Sequence, residues 1–503
     1  MMSSVFVALA PLLLVTIGGL GLMMAEIFAA PGRDGGGPSA DLAMGSFMAL
    51  FAGAVAALAL TMLGPEQLSS AASLAPYLLI DRFTLFFWLL LCTAGALVAL
   101  LGGGYLPEHR LDRGEFYPLL LFATVGAMTL SAAGDLLTLL IGLETMSLGV
   151  YAMIGLRRGS ARAVEAAVKY FLLGSFATAL LLYGGALVYG TTGHTDFAGI
   201  AEALRTRPPS GADAAMLLVA LGLLLSGLGF KVAAVPFHMW TPDAYEGAPT
   251  PTTTFMAVAV KAAAVAMTLR VLAGAFGDPA SMSWAAGWPP IVALLAVLTM
   301  TGANLIAGRQ ESVKRMLAYS SIAHAGYLLV GLVALGKPGN DALGSVLFYL
   351  LAYTVSTAGA FATLILCGSR GKEAVSYDDL AGIGRRHPAL ALAFSLFVLS
   401  LAGVPATAGF FAKLYVVRAA LGAGLNALAL AVVLNSALGA YYYLRVLVTM
   451  YMRVPDKGAP VALPMRSGYV AAVALLCAAA VLWLGLWPSH PLRFAIEAAL
   501  SLK

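Results

Sequence analysis

Apolar stretches of bilayer-crossing length, or nearly so, follow one another along almost the whole chain, at 5–30, 42–63, 78–101, 117–133, 136–156, 164–189, 214–235, 250–275, 289–306, 316–335, 343–367, 389–420, 425–452 and 469–487. A helix rises about 1.5 Å per residue, so about 20 apolar residues cross the hydrocarbon. No water is available there to satisfy the backbone, and runs this long and unbroken therefore specify helices. The expectation is an all-α polytopic membrane protein with about fourteen transmembrane helices. Of the 503 residues, 61% are hydrophobic and only 11% charged, where soluble domains carry about 25% charged residues. A soluble enzyme and a disordered chain are excluded, and the net charge of +5 is too thinly spread for a nucleic-acid surface. The first run lacks the positive flank of a signal peptide and reads as a retained helix.

The chemistry this chain can carry is equally restricted. Cys92, Cys367 and Cys477 lie far apart and are too few for the four thiolates of an iron–sulfur cluster. No GxxxxGK[ST] or HExxH motif occurs. The chain is expected to hold no cofactor or metal of its own and to hydrolyse no nucleotide.

Basic residues test the span map. One set of alternate loops carries sixteen: Arg33, Arg110, Arg113, Arg157, Arg158, Arg162, Arg309, Lys314, Arg315, Arg370, Lys372, Arg385, Arg386, Arg453, Lys457 and Arg466. The other carries six: Arg205, Arg207, Lys337, Arg418, Arg493 and Lys503. Positive charge accumulates on the cytoplasmic side, which predicts an even number of spans with both termini outside the cytoplasm. Leu269-Arg270-Val271-Leu272 returns as Leu444-Arg445-Val446-Leu447, and Tyr170-Phe171-Leu172-Leu173 resembles Phe348-Tyr349-Leu350-Leu351. These offsets pair spans four to eight (117–276) with spans nine to thirteen (289–453). Spans one to three (1–116) and the last (469–487) lie outside the repeat. Five spans is an odd number, so the copies are inverted, as in many transporters.

Each repeat contains an interrupted span. Pro236 follows Phe230-Lys231-Val232-Ala233-Ala234-Val235, and Pro405 follows Gly403-Val404. A proline inside a helix removes one N–H and clashes with the carbonyl four residues back, and in a bilayer such breaks line hydrated cavities or are satisfied by neighbouring helices. The charges inside spans point the same way. Glu144 and Lys261 fall near the midplane, where an unpaired charge costs at least about 2.5–3.5 kcal/mol. Lys231 and Lys413 flank the two breaks. Desolvation and a nearby carboxylate act on a buried lysine in opposite senses, so a shift of Glu144 relative to Lys231 would switch the lysine between holding and releasing a proton. Lys169, with Glu165 one turn before it, is either a relay group or a snorkelling ion pair. His238 and His324 are either proton relays or hydrogen-bonded packing residues. Asp81, Asp135 and Glu26 read as interfacial charges.

The segment Phe230-Lys231-Val232-Ala233-Ala234-Val235-Pro236-Phe237-His238-Met239-Trp240-Thr241-Pro242-Asp243-Ala244-Tyr245-Glu246-Gly247-Ala248-Pro249 resembles the signature of the antiporter-like membrane subunits of respiratory complex I. Further matches are Glu165 to Gly174, Ser312 to His324, Ser400 to Pro405, and Gly409 to Lys413. A lysine at 261, where subunits M and L tend to carry histidine, favours the subunit N branch of bacterial NADH:quinone oxidoreductases. The resemblance implies two inverted five-helix repeats with broken helices seven and twelve, and proton translocation driven by quinone reduction in other subunits. It makes Glu144 the acid of a charge pair with Lys231, Lys261 the central lysine, Lys413 the exit-side lysine, and Lys169 and His238 relay positions, with Glu165 and His324 as lesser candidates. It places FMN, iron–sulfur clusters and quinone in partner subunits. It names subunits M, K and J and the lateral helix of subunit L as neighbours, in a bacterial inner membrane with periplasmic termini. One departure is Val404-Pro405-Ala406-Thr407, where the family more often has a second proline. The alternatives are a multisubunit cation/proton antiporter of the same fold and a passive scaffold, against which the midplane charges argue.

Overall fold

A computed structural model describes residues 2–28, 39–63, 73–111, 114–336, 341–368, 371–455 and 464–502. Of the basic residues counted above, Arg33, Arg113, Lys337, Arg370, Lys457 and Lys503 lie outside the described residues. The described chain is helical: α1 Met2–Phe28, α2 Ser39–Met62, α3 Arg82–Glu108, α4 Phe116–Ala132, α5 Leu136–Ile154, α6 Ala161–Thr192, α7 Phe197–Thr206, α8 Gly211–Val232, α9 Trp240–Gly247 and α10 Thr250–Ala275. There follow α11 Pro289–Ala307, α12 Val313–Val333, α13 Ala342–Cys367, α14 Pro388–Ala402, α15 Ala408–Gly422, α16 Asn426–Tyr451, α17 Gly468–Leu486 and α18 Ser489–Leu500. Twelve of these are long and apolar enough to cross a membrane. The 17-residue α4 and the broken pair α14–α15 complete the fourteen crossings read from the sequence.

The helices form an inner and an outer tier. The α10 span is wholly buried, and α3, α12 and α13 nearly so, whereas α1 and α6 leave most of their length exposed. Small residues set the closest contacts. A methyl group on Gly126 of α4 would lie 2.3 Å from the Met146 amide, and one on Gly142 of α5 would lie 2.6 Å from that of Leu130. The two backbones therefore touch, as small residues allow in membrane bundles. The divide between spans four and five is real. Asp135 caps α5 by accepting the Thr138 amide at 2.7 Å, and the Gly134 carbonyl accepts the Phe197 amide at 2.9 Å.

Two helices of ten residues or more lie outside the span map. The α7 helix buries only Phe197, Ile200 and Leu204, and α18 buries Pro491, Ala495, Ala498 and Ala499. Each presents a single apolar stripe and is too short to cross. A search for crossing-length apolar runs therefore passes over both.

Both predicted breaks are present, and several of the backbone groups beside them find partners. The α8 helix stops at Val232, four residues before Pro236, where the proline ring would meet the carbonyl. Ala233 turns left-handed (φ 65°), its N–H reaching Phe230 O, while the Ala234 N–H reaches Gly229 O. The Val235 amide donates to Thr299 Oγ1 on α11, and Trp240 Nε1 donates to Phe230 O. The run at 389–420 divides into α14 and α15 around Gly403 (φ 90°) and Ala406 (φ 67°). The missing second proline thus leaves the break in place, with Gly403 and Ala406 both in the left-handed region.

Candidate functional site

The break in the seventh span places Lys231 on the last turn of α8, 3% exposed. Its Nζ donates to Ser147 Oγ on α5 at 2.7 Å and lies 5.3–5.8 Å from the ring centres of Tyr151, Tyr170 and Phe230. This three-ring cage offers π faces to a cation. The hydroxyl of Tyr170 is buried without a protein partner among the described residues, which gives it bonding capacity for water, whereas that of Tyr151 faces Ser147.

The charge pair implied by the resemblance takes an indirect form. Glu144 accepts the Thr178 hydroxyl at 2.6 Å, while Lys231 is bound by Ser147, one turn further along α5. No direct Glu144–Lys231 bond is formed. The carboxylate remains the charged group whose field reaches Lys231. Glu144 is half-buried beside the outward-facing Ile141 and Leu148, so its helix face looks partly away from this chain.

Lys261 is set by a local irregularity. Residues Met256–Val260 form a π turn directly before it, and a second π turn, Arg270–Ala275, begins at the next basic residue of α10. A π turn inserts a residue into the helical count and re-aims the following side chain. Lys261 Nζ donates to the Ser321 carbonyl on α12 at 2.6 Å and sits 6.0 Å from the Tyr353 ring centre. One turn along α12, His324 is buried, its Nδ1 2.5 Å from the Tyr349 hydroxyl and its Nε2 3.1 Å from that of Tyr443. Lys413 and Lys261 are both near enough to act on His324 electrostatically. Lys413, on α15, donates to the Ala402 carbonyl freed by the second break at 2.8 Å and stands 5.2 Å from the Tyr327 ring centre. Lys261, His324 and Lys413 thus share one buried neighbourhood, and Lys231 sits in its own cage against α5. The histidine weighted least in the sequence is the one in that neighbourhood.

The other candidates lie elsewhere. His238 occupies the loop between α8 and α9 beside the exposed Met239; its Nδ1 is buried with no side-chain partner among the described residues. Lys169 is a surface group paired with Glu165 at 2.6 Å and Asp243 at 2.8 Å, and Asp243 also holds Arg315 at 2.8 Å. The snorkelling, ion-paired reading of Lys169 and Glu165 matches this geometry. Pro236 and Pro405 act through the backbone at the two breaks.

Sequence reading passed over Ser147, Tyr245, Ser321, Tyr349 and Tyr443, because serine and tyrosine are ordinary in membrane helices and only tertiary contact gives them a partner. It also treated Asp81 as an interfacial charge. Asp81 caps α3 by accepting the Thr84 amide at 2.7 Å, and it clamps the buried Arg270 through two bonds of 2.8 Å. Arg270 also donates to Thr84 Oγ1 at 2.7 Å and covers the Phe83 ring. At the other end of the bundle Glu373 joins Lys314 (3.3 Å), Thr250 (2.6 Å) and Tyr105, with Arg157 at 4.0 Å. Burial alone would push this loop carboxyl up. Lys314, the Thr250 and Tyr105 hydroxyls and Arg157 outweigh that and hold it down at about 2.

Comparison with known proteins identifies the family. Residues 133–439 match the family model described as NADH:quinone oxidoreductase/Mrp antiporter, TM. Over 501 residues the chain is 66% identical to NADH-quinone oxidoreductase subunit N 1 of Sorangium cellulosum (strain So ce56), covering 99% of each. The chain belongs to the subunit N family. A chain of respiratory complex I from Thermus thermophilus with bound aureothin superposes with TM-score 0.77 at 34% identity, covering 96% of this subunit N chain and 98% of that one. A chain of the Mrp complex from Dietzia sp. DQ12-45-1b superposes with TM-score 0.82 at 23% identity, covering 100% and 98%, and so shares the fold.

Proposed function

We propose that protons cross this subunit along the line Lys231, Lys261, His324 and Lys413, with Glu144 biasing the first of them. The chain is a proton-translocating membrane subunit of an NADH:quinone oxidoreductase, embedded in the membrane by its many spans, and its partners are the other subunits of that complex. One observation carries the relay reading. Three buried ammonium groups and one imidazole are held by hydroxyls and backbone carbonyls rather than by carboxylates. A buried ammonium without a partner carboxylate is costly to keep charged. Such a group can therefore exchange its proton when a neighbouring charge changes, and the bordering hydroxyls can both donate and accept.

Energy must come from outside the chain, since each charge moved against 100 mV costs about 2.3 kcal/mol. FMN, iron–sulfur clusters and quinone in partner subunits would supply it. The half-buried Glu144 at an outward apolar face supports a neighbouring subunit beside α5, in keeping with neighbours M, K and J and the lateral helix of subunit L. The excess of basic residues in one set of loops supports periplasmic termini in a bacterial inner membrane. The inverted repeats 117–276 and 289–453 are supported by the matching left-handed turns at Ala233 and Gly403, each ending the first half of its broken span.

The decisive experiment replaces Lys231 by Ala in the intact complex, with assembly checked on native gels. NADH-driven quinone reduction and proton uptake into inverted vesicles should fall together. Normal values for both in an assembled complex would make Lys231 structural and remove the first member of the line. Sodium-dependent transport by the isolated chain would favour the antiporter reading instead.

A further inference from the structure

The three buried lysines share a kind of neighbour that carries no charge. Lys231 Nζ lies 5.3–5.8 Å from the Tyr151, Tyr170 and Phe230 ring centres, Lys261 Nζ 6.0 Å from that of Tyr353, and Lys413 Nζ 5.2 Å from that of Tyr327. An aromatic face attracts a cation through its quadrupole, most strongly where water is excluded. Unlike a carboxylate, it brings neither a counter-charge nor a proton of its own. A lysine beside it is charged at lower cost and can still give its proton up. No carboxylate pairs with Lys413 among the described residues; the Ala402 carbonyl and the Tyr327 ring face its Nζ. The same Tyr327 ring meets His324 edge-on, with ring centres 5.7 Å apart and planes at 89°.

A pair of buried amides at the contact of α11 with α16 holds that ring. Asn304 of α11 uses both its donors and its acceptor. Its Nδ2 donates to the Tyr327 hydroxyl at 3.1 Å and to the Asn435 carbonyl at 3.0 Å, and its Oδ1 accepts the Tyr442 hydroxyl at 2.9 Å. Asn435 of α16 is fixed in turn, its Nδ2 donating to Thr301 Oγ1 at 3.1 Å and to the Ala431 carbonyl at 3.0 Å. Ser436, the next residue of α16, also faces the Tyr327 hydroxyl. The phenol is thus tethered at its far end, which sets the direction of the ring axis, while the edge-on contact with His324 sets the ring plane. Joining two helices would need only the Asn304–Asn435 bond. The bond to Tyr327 goes further, to the ring that faces Lys413.

We propose that Asn304 is a positioning residue for the relay, holding the Tyr327 ring against Lys413 so that the ring, in place of a carboxylate, stabilises the ammonium form. This rests on the relay reading above. Tyr327 passes no proton in this scheme: its hydroxyl is bound by Asn304, and its face meets Nζ. The titratable groups packed around this pair are Lys261 on α10, His324 on α12, Tyr349 on α13, and Tyr442 and Tyr443 on α16.

The test is a double-mutant cycle on the assembled complex in inverted vesicles. Quinone reduction and proton uptake per assembled complex are measured across pH for Asn304→Ala, Tyr327→Leu, the two combined, Tyr327→Phe and Lys413→Ala. Tyr327→Leu should lose on the order of tenfold in both activities, Asn304→Ala nearly as much, and the double variant no more than Tyr327→Leu alone. The pH profile of uptake should shift in the same sense in both single variants, which loosened packing alone does not produce. Tyr327→Phe keeps the π face without its tether and should fall between Tyr327→Leu and the unaltered complex. If Asn304→Ala does not assemble, Tyr442→Phe takes its place in the cycle, since it strips one bond from the amide and keeps every ring. Losses that multiply in the double variant overturn the proposal, because Asn304 then acts by another route. So does Tyr327→Phe as impaired as Tyr327→Leu, or single variants that melt earlier but turn over normally, which would leave Asn304 as a helix contact only. If Lys413→Ala abolishes both activities while Tyr327→Leu is normal, the relay stands and the platform falls. If Lys413→Ala is itself normal, the relay reading fails first and takes the platform with it.

Discussion

The two breaks differ in one atom group, and that difference sets up a matched pair of substitutions. Gly403 holds φ 90° with no side chain, whereas Ala233 holds φ 65° with one. A methyl on Gly403 would lie 3.0 Å from Lys413 Cδ and 3.4 Å from its Nζ. Gly403→Ala therefore carries two costs. The left-handed backbone penalises an L residue by about 1–2 kcal/mol. The crowded lysine must also back away from the Ala402 carbonyl, losing part of a charge-assisted bond worth about 1.5–3 kcal/mol. The expected total is about 2–4 kcal/mol, with Lys413 displaced from its place in the line. Ala233→Gly relieves the same backbone strain and loses only the unfolded-chain advantage of alanine, about 0.4–1 kcal/mol, so it should be neutral or slightly stabilising. Thermal inactivation of the purified complex, alongside quinone reduction and proton uptake by assembled complex, measures both effects. Gly403→Ala should melt earlier and pump less per complex, while Ala233→Gly should do neither. Equal damage from both variants, or none from Gly403→Ala, would refute the idea that the left-handed turn positions Lys413.

Three further outcomes follow from the same geometry. Asp81→Asn should cost about 3–5 kcal/mol by leaving the Arg270 guanidinium, 4% exposed, without its carboxylate; Asp81→Leu with Arg270→Met should restore most of that on native gels and in thermal inactivation, with turnover per assembled complex unchanged. Glu373 is held at about 2 against an ordinary 4.5, a contribution of about 3 kcal/mol that is complete above the ordinary value and disappears as pH falls towards the depressed one. Melting temperatures of Glu373→Gln and unaltered complex should thus differ at neutral pH and converge on acidification. Lys169→Ala, which removes a surface ion-pair member, should change stability by no more than about 1 kcal/mol and leave proton uptake close to normal; a loss like that of Lys231→Ala would return Lys169 to the relay.

The site was legible to different depths. Lys261, Glu144, Lys231 and Lys413 stand out in the chain because a charge inside an apolar run has an insertion cost that demands an explanation. The breaks stand out because proline has no amide hydrogen. His324 and His238 are indistinguishable by that logic, and only the fold separates them: α12 buries one ring against the Tyr349 and Tyr443 hydroxyls, while the α8–α9 loop leaves the other beside exposed Met239. Tyr245 and Ser321 carry no charge and break no pattern, so nothing local marks them. Asp81 and Arg270, 189 positions apart, each look like an ordinary charge at a span end until α3 and α10 meet.

The sequence by itself determined that the chain is a bundle of fourteen membrane crossings, which crossings are broken, and which charges lie too deep to be incidental. Those properties follow from the solvent, since hydrocarbon dictates helix length, forbids unsatisfied backbone and taxes charge one segment at a time. Tertiary structure alone decided that Lys231 is held by Ser147 rather than directly by Glu144, that Lys261 meets Ser321, and that His324 meets the Tyr349 and Tyr443 hydroxyls. Between helices the hydrocarbon offers no preference, so which hydroxyl meets which lysine rests on the rotation and depth of each helix. Those are set by packing such as the Gly126–Gly142 contact, which no single segment encodes.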